Sequence, residues 1–101
     1  NRAILNFGKR DVHYDLGYPI PLAIYRKGKL FRKIYDTEIK FKIYKMSDQH
    51  AFLYYPNHIN IQIGDLIKFG ITHPCVTIDK WDLFYMINEK HTIIEGLKTF
   101  F

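Results

Sequence analysis

The chain of 101 residues carries a single cysteine, Cys75. One cysteine excludes an intrachain disulfide, so nothing in the sequence calls for an oxidising compartment. No apolar run approaches the roughly 20 residues that a membrane-spanning helix needs. No charged start followed by an apolar centre reads as a secretory signal. The expectation is a cytoplasmic protein with no membrane partner. Repeats and low-complexity tracts are missing. So is any nucleophile motif for Ser-His-Asp chemistry, and so is a glycine-rich phosphate loop, since Gly64 and Gly70 stand isolated. Helical periodicity is weak along almost the whole chain.

What is present is apolar and aromatic. Hydrophobic residues make up 48% of the chain, enough to exclude a disordered tail. At this length the chain reads as one domain, residues 1–101, with no internal boundary. It opens on Asn1, and Ala3-Ile4-Leu5 at once has strand character, as expected of a piece cut from a longer protein. The net charge of +5 raises nucleic acid as a partner, and the many Tyr and Phe raise an oligonucleotide-barrel mode of binding. Two features argue against both. The basic residues are spread out, with Lys40 and Lys42 on the solvated face of a strand. Most aromatics fall at alternating core positions. No nucleic-acid partner is expected. The one basic cluster, residues 26–33, reads as a loop able to touch an anion or an acidic partner.

Short runs of β-branched and aromatic residues separated by turn residues give the strands. They are expected at residues 3–7, 21–25, 36–46, 51–55, 66–71, 83–87 and 92–96. Turns are expected at Leu16-Gly17, Lys27-Gly28-Lys29, Pro56-Asn57-His58, Ile63-Gly64-Asp65 and Asn88-Glu89-Lys90. In the strand at 36–46, Glu38, Lys40 and Lys42 face out and Ile39, Phe41 and Ile43 face in. The fold class is all-β, a small barrel or sandwich of short strands.

Chemistry concentrates after the strand at 66–71. Ile67, Phe69, Ile71, His73 and Cys75 share one parity, so a strand continuing through Thr72 puts His73 and Cys75 on one face as neighbours i and i+2. An imidazole nitrogen and a thiolate sulfur make a donor set that zinc accepts. Pro74 between them has no N–H and belongs at a strand end or edge. A structural zinc site typically uses four protein ligands, so a pair implies an open shell, the arrangement of a catalytic metal. The bland alternative is a half-buried His beside a buried Cys. His50 closes the polar turn Ser47-Asp48-Gln49-His50. His13, His58 and His91 sit in polar turns or loops and receive no role.

At Thr72-His73-Pro74-Cys75-Val76-Thr77-Ile78-Asp79-Lys80-Trp81 the sequence resembles the C-terminal domain of the D-serine dehydratase and D-threonine aldolase family, in its bacterial amino-acid deaminase branch. Three further segments agree, in order. They are Gly8-Lys9-Arg10-Asp11 with Asp15-Leu16-Gly17-Tyr18-Pro19, then Ser47-Asp48-Gln49-His50-Ala51-Phe52-Leu53, then Ile63-Gly64-Asp65-Leu66-Ile67-Lys68-Phe69-Gly70. The ending Leu97-Lys98-Thr99-Phe100-Phe101 resembles the family's natural C-terminus. The resemblance implies an alanine racemase-like architecture, in which an N-terminal barrel holds pyridoxal phosphate on a lysine and a β-rich C-terminal domain follows. It implies homodimers, a D-amino-acid substrate, and zinc or another divalent metal on His73 and Cys75. It implies that His50 stands near the site, on the substrate side or behind the ligands. Asp82 departs from the family branch, which often has a basic residue there. No barrel and no Schiff-base lysine segment is present, so pyridoxal phosphate belongs to a barrel domain supplied in cis or in trans. By itself the chain is expected to be inactive. The alternative reading is a stand-alone β-barrel binding module for zinc or a protein partner.

Overall fold

The computed structural model describes residues 1–35 and 37–100. Eight strands and one short helix follow in the order β1 (Arg2–Leu5), β2 (Ile20–Arg26), β3 (Lys29–Lys33), β4 (Lys42–Met46), β5 (Ala51–Tyr54), β6 (Leu66–Gly70), α1 (Pro74–Ile78), β7 (Leu83–Ile87) and β8 (Ile93–Lys98). The all-β expectation holds. The strands form two three-stranded sheets, β1-β5-β4 and β3-β2-β6, and a two-stranded β7-β8 hairpin. Among the described residues they do not close into a barrel.

Antiparallel pairing sets which side chains meet. Leu53 stands opposite Ala3 on one side and Ile43 on the other, and Ala51 stands opposite Leu5 and Met46. In the second sheet Ile24 is flanked by Arg32 and Ile67. One cluster joins the sheets: Ile24 from the second, Ile43, Met46, Ala51 and Leu53 from the first, with Val12, Ile34, Phe41 and Ile59 from the connections. Ile24 and Leu53 have no exposed surface, and burial stabilises each by about 1.5–3 kcal/mol. The strand contact between the sheets is β2 on β4.

The turns are local chemistry. Lys27 and Gly28 both take positive φ, 53° and 77°, as the two-residue turn of a tight hairpin requires. The basic segment expected as a loop is therefore a hairpin, with β3 emerging from it. Two of its charges are committed. Arg26 grips Asp65 through Nε and Nη2, both at 2.8 Å, and Arg32 grips Glu38 at 2.9 and 2.7 Å.

The long strand expected at 36–46 is half turn. Backbone bonds Glu38 N–H to Tyr35 O and Phe41 N–H to Glu38 O turn the chain before β4 begins. Ile39, expected inside, is 78% exposed, while Phe41 and Ile43 are buried as expected. Asp36, where that strand was expected to start, lies outside the described residues, as does Phe101. The aromatics are also less buried than alternation implied. Phe41 alone among the described aromatics is core, with Phe7, Tyr55 and Phe69 packed against the cluster.

Among the described residues, strands β7 and β8 lie close along the backbone only to each other, and the turn between them reaches β2 through the Tyr25–His91 ring contact. Leu83, Tyr85, Met86, Ile87, Ile93, Ile94 and Leu97 are all exposed on it. Among the described residues no helix is long and apolar enough to cross a membrane.

Candidate metal centre

The expected strand through Thr72 does not form. β6 ends at Gly70 and the chain turns into α1, with His73 at the N-cap and Pro74 in the first turn. Proline has no N–H to lose there and its fixed φ suits the first helical position. The pair is thus not the same-face strand pair that parity implied. His73 sits just outside the helix with φ −137° and ψ 81°, and Cys75 lies inside its first turn with an exposed thiol.

A loop from the other end of the sequence holds this segment. The His73 ring nitrogen Nδ1 lies 2.8 and 3.0 Å from the two carboxylate oxygens of Asp15. A carboxylate can only accept, so Nδ1 carries the proton and donates, and in the neutral ring Nε2 keeps its lone pair. The His73 hydrogen bond is the first cause that holds the Asp15 carboxyl below its ordinary pKa; the charges of His73 and His13 act in the same direction. Two bonds flank this contact. The Thr72 hydroxyl donates to Gly17 O at 2.8 Å. The His13 backbone N–H donates to the buried Thr77 hydroxyl at 3.1 Å. Farther along, the Trp81 indole N–H donates to Asp11 O at 2.8 Å. The loop itself turns at Gly17, whose N–H bonds Tyr14 O at a φ of 121°.

His13, expected to have no role, belongs to the cluster. Its ring stands edge-on to His73 with centroids 5.9 Å apart, and its Nε2 is 3.5 Å from Asp15. Its Nδ1 is buried and has no hydrogen-bond partner among the described residues. Sequence reasoning missed Asp15 and His13 as site residues. The available signal was that Asp15 falls inside one of the segments that carried the family resemblance.

His50 ends the β4–β5 turn. Its carbonyl accepts the Ser47 N–H, and the same turn accepts Lys9 N–H and Arg10 N–H at Ser47 O and Asp48 O. Gly8 packs so tightly on this turn that a Cβ would collide with the backbone of Ser47 and Asp48. The first and central motif segments therefore meet directly. The His50 side chain is exposed, and among the described residues no hydrogen bond or ring contact joins it to His13, Asp15 or His73.

An apolar groove of about 480 Å³ adjoins the centre, lined by residues including Phe7, Val12, Phe69, Ile71, Thr77 and Trp81. A larger cleft of about 800 Å³ lies along Asn1, residues 37–40, Lys42 and Tyr54–His58 and contains none of the candidate ligands.

The profile of the family described as "Putative serine dehydratase domain" matches residues 1–87. The chain belongs to the serine dehydratase domain family. The matched span contains three of the resembling segments entire and all of the Thr72–Trp81 stretch, and it ends with β7, leaving β8 and the last residues outside. No curated protein matches the chain.

Among the described residues no three His, Cys, Asp and Glu side chains are grouped to hold a metal ion. For this member of the serine dehydratase domain family the donor chemistry fits a smaller role. One imidazole with Nδ1 fixed and Nε2 free, followed by one exposed cysteine, suits two ligands of an open shell completed from elsewhere.

Proposed function

We propose that this chain is the metal-ligand-bearing C-terminal domain of a pyridoxal-phosphate-dependent D-amino-acid lyase, of dehydratase, deaminase or aldolase type. It supplies His73 and Cys75 as ligands and one wall of the active site. The observation that carries the reading is the orientation of His73. Asp15 accepts from Nδ1, which directs the unprotonated Nε2 away from the carboxylate. A zinc or similar divalent ion bound there would polarise the substrate's side-chain hydroxyl and make it a better leaving group. The chain's own part is to hold the two donors on a short turn-and-helix segment pinned by the loop at 13–17, beside an apolar groove. The cofactor belongs to a barrel domain in cis or in trans, and the assembly is a homodimer in the cytoplasm. His50 contributes from the substrate side or from behind the ligands.

Zinc titration of the chain beside His73→Ala and Cys75→Ala variants tests the ligand assignment. Binding is expected in the parent chain and is expected to weaken in both variants; equal affinity in all three sinks the reading. Added to a barrel partner with pyridoxal phosphate, the chain is expected to restore release of pyruvate from D-serine or of oxobutanoate from D-threonine.

A further inference from the structure

Asp15 and His73 are 58 positions apart, yet their contact is two-pronged, at 2.8 and 3.0 Å. A stray surface pair would have no reason to be bracketed. This one is bracketed on both sides, by Thr72 Oγ1 on Gly17 O and by His13 N–H on the Thr77 hydroxyl. Thr77 is 5% exposed and lies two residues beyond Cys75 in α1. The loop thus fixes the residue before His73, the ring of His73 itself, and the turn of helix that carries Cys75. His13 closes the remaining side, its ring edge-on to His73.

We infer that Asp15 is the positioning residue of the metal pair: its carboxylate sets the His73 ring in the Nδ1–H tautomer and so presents Nε2 to the ion beside Cys75. The inference rests on the ligand assignment proposed above. It adds a residue that touches neither metal nor substrate and acts only through His73. Removal of such an outer carboxylate costs about 10–100-fold in metal affinity, because the free ring divides between two tautomers and several orientations. The oxygen of an amide also accepts from Nδ1–H, so Asp15→Asn retains the orientation that Asp15→Ala loses.

Two readouts decide it. Zinc affinity is measured in the parent chain, Asp15→Ala, Asp15→Asn and His73→Ala, with far-ultraviolet circular dichroism and the urea unfolding midpoint confirming that each is folded. Asp15→Ala is expected to bind about 10–100-fold more weakly, with much of the loss recovered in Asp15→Asn. The second readout needs no metal. Ring ¹⁵N shifts at about pH 8, where an ordinary histidine of pKa about 6.5 is neutral, are expected to show Nδ1–H at His73 in the parent and in Asp15→Asn, and a return to the mixed tautomers in Asp15→Ala. Unchanged zinc affinity in Asp15→Ala, with His73→Ala still weakened, overturns the inference and leaves the ligand assignment standing. Zinc binding that ignores His73→Ala overturns the assignment and the metal role of Asp15 together. A His73 tautomer indifferent to Asp15→Ala overturns the positioning role whatever the zinc arm shows.

Discussion

The two-sheet body and the β7-β8 hairpin are built from the same kinds of residue and hold together by different means. In the body, side chains from both sheets and three connections converge on one cluster around Ile24 and Leu53. In the hairpin, Tyr85, Met86, Ile93 and Ile94, which alternate between its two faces, are all exposed. Its order comes from its own ladder, from the Asn88 side chain accepting the Lys90 and Thr92 N–H groups, and from the Tyr25–His91 ring contact at 4.4 Å. A lone two-stranded hairpin is marginal in water. The contrast teaches that hydrophobic composition alone does not mark a core; convergence from several elements does.

The largest expected effect breaks the body. Leu53→Ala opens a cavity at the centre of the cluster and is expected to cost about 2–5 kcal/mol, read from the midpoint of urea unfolding. A smaller effect comes through charge. The Arg26 hydrogen bond, assisted by the Gln62 N–H, holds the Asp65 carboxyl below its ordinary range, and Arg32 does the same for Glu38. A carboxyl held low stabilises the folded state above its unfolded pKa of about 4, and that contribution is lost as pH falls through the folded value. Melting temperature is therefore expected to be flat from about pH 7 to 5 and to drop below about 4. Asp65→Asn is expected to flatten part of that drop, and an unaltered profile would remove the pair from the account. The smallest effect belongs to the hairpin. Ile94→Ala is expected to change global stability by no more than about 0.5 kcal/mol, and hydrogen exchange is expected to show β7 and β8 amides opening well below the global unfolding free energy that governs those of β4 and β5. Equal protection in both regions would erase the distinction.

The strands and turns of the body were legible because their signals are local. Alternation exposed Phe41 and Ile43 as core, and glycines at positive φ marked the turns at Gly17, Gly28 and Gly64. Alternation failed at Ile39, where the Arg32–Glu38 pair and two backbone bonds turn the chain early. It failed again at Thr72. There parity extended the strand, whereas Pro74 after His73 is equally a helix-start signal. The ligand pair was legible as residue types and not as geometry. Asp15 was invisible as their support because no period in the sequence relates positions 15 and 73. The exposure of β7 and β8 was unreadable for a related reason, since a strand's apolar pattern does not say whether anything lies against it.

The Trp81 bond to Asp11 has a practical consequence. This is the chain's one tryptophan, and its indole N–H reaches across 70 positions to a carbonyl in the same loop that carries His13 and Asp15. Its emission therefore reports whether that loop is seated. The protein carries its own optical gauge of site assembly, readable without a label, a metal or a turnover assay.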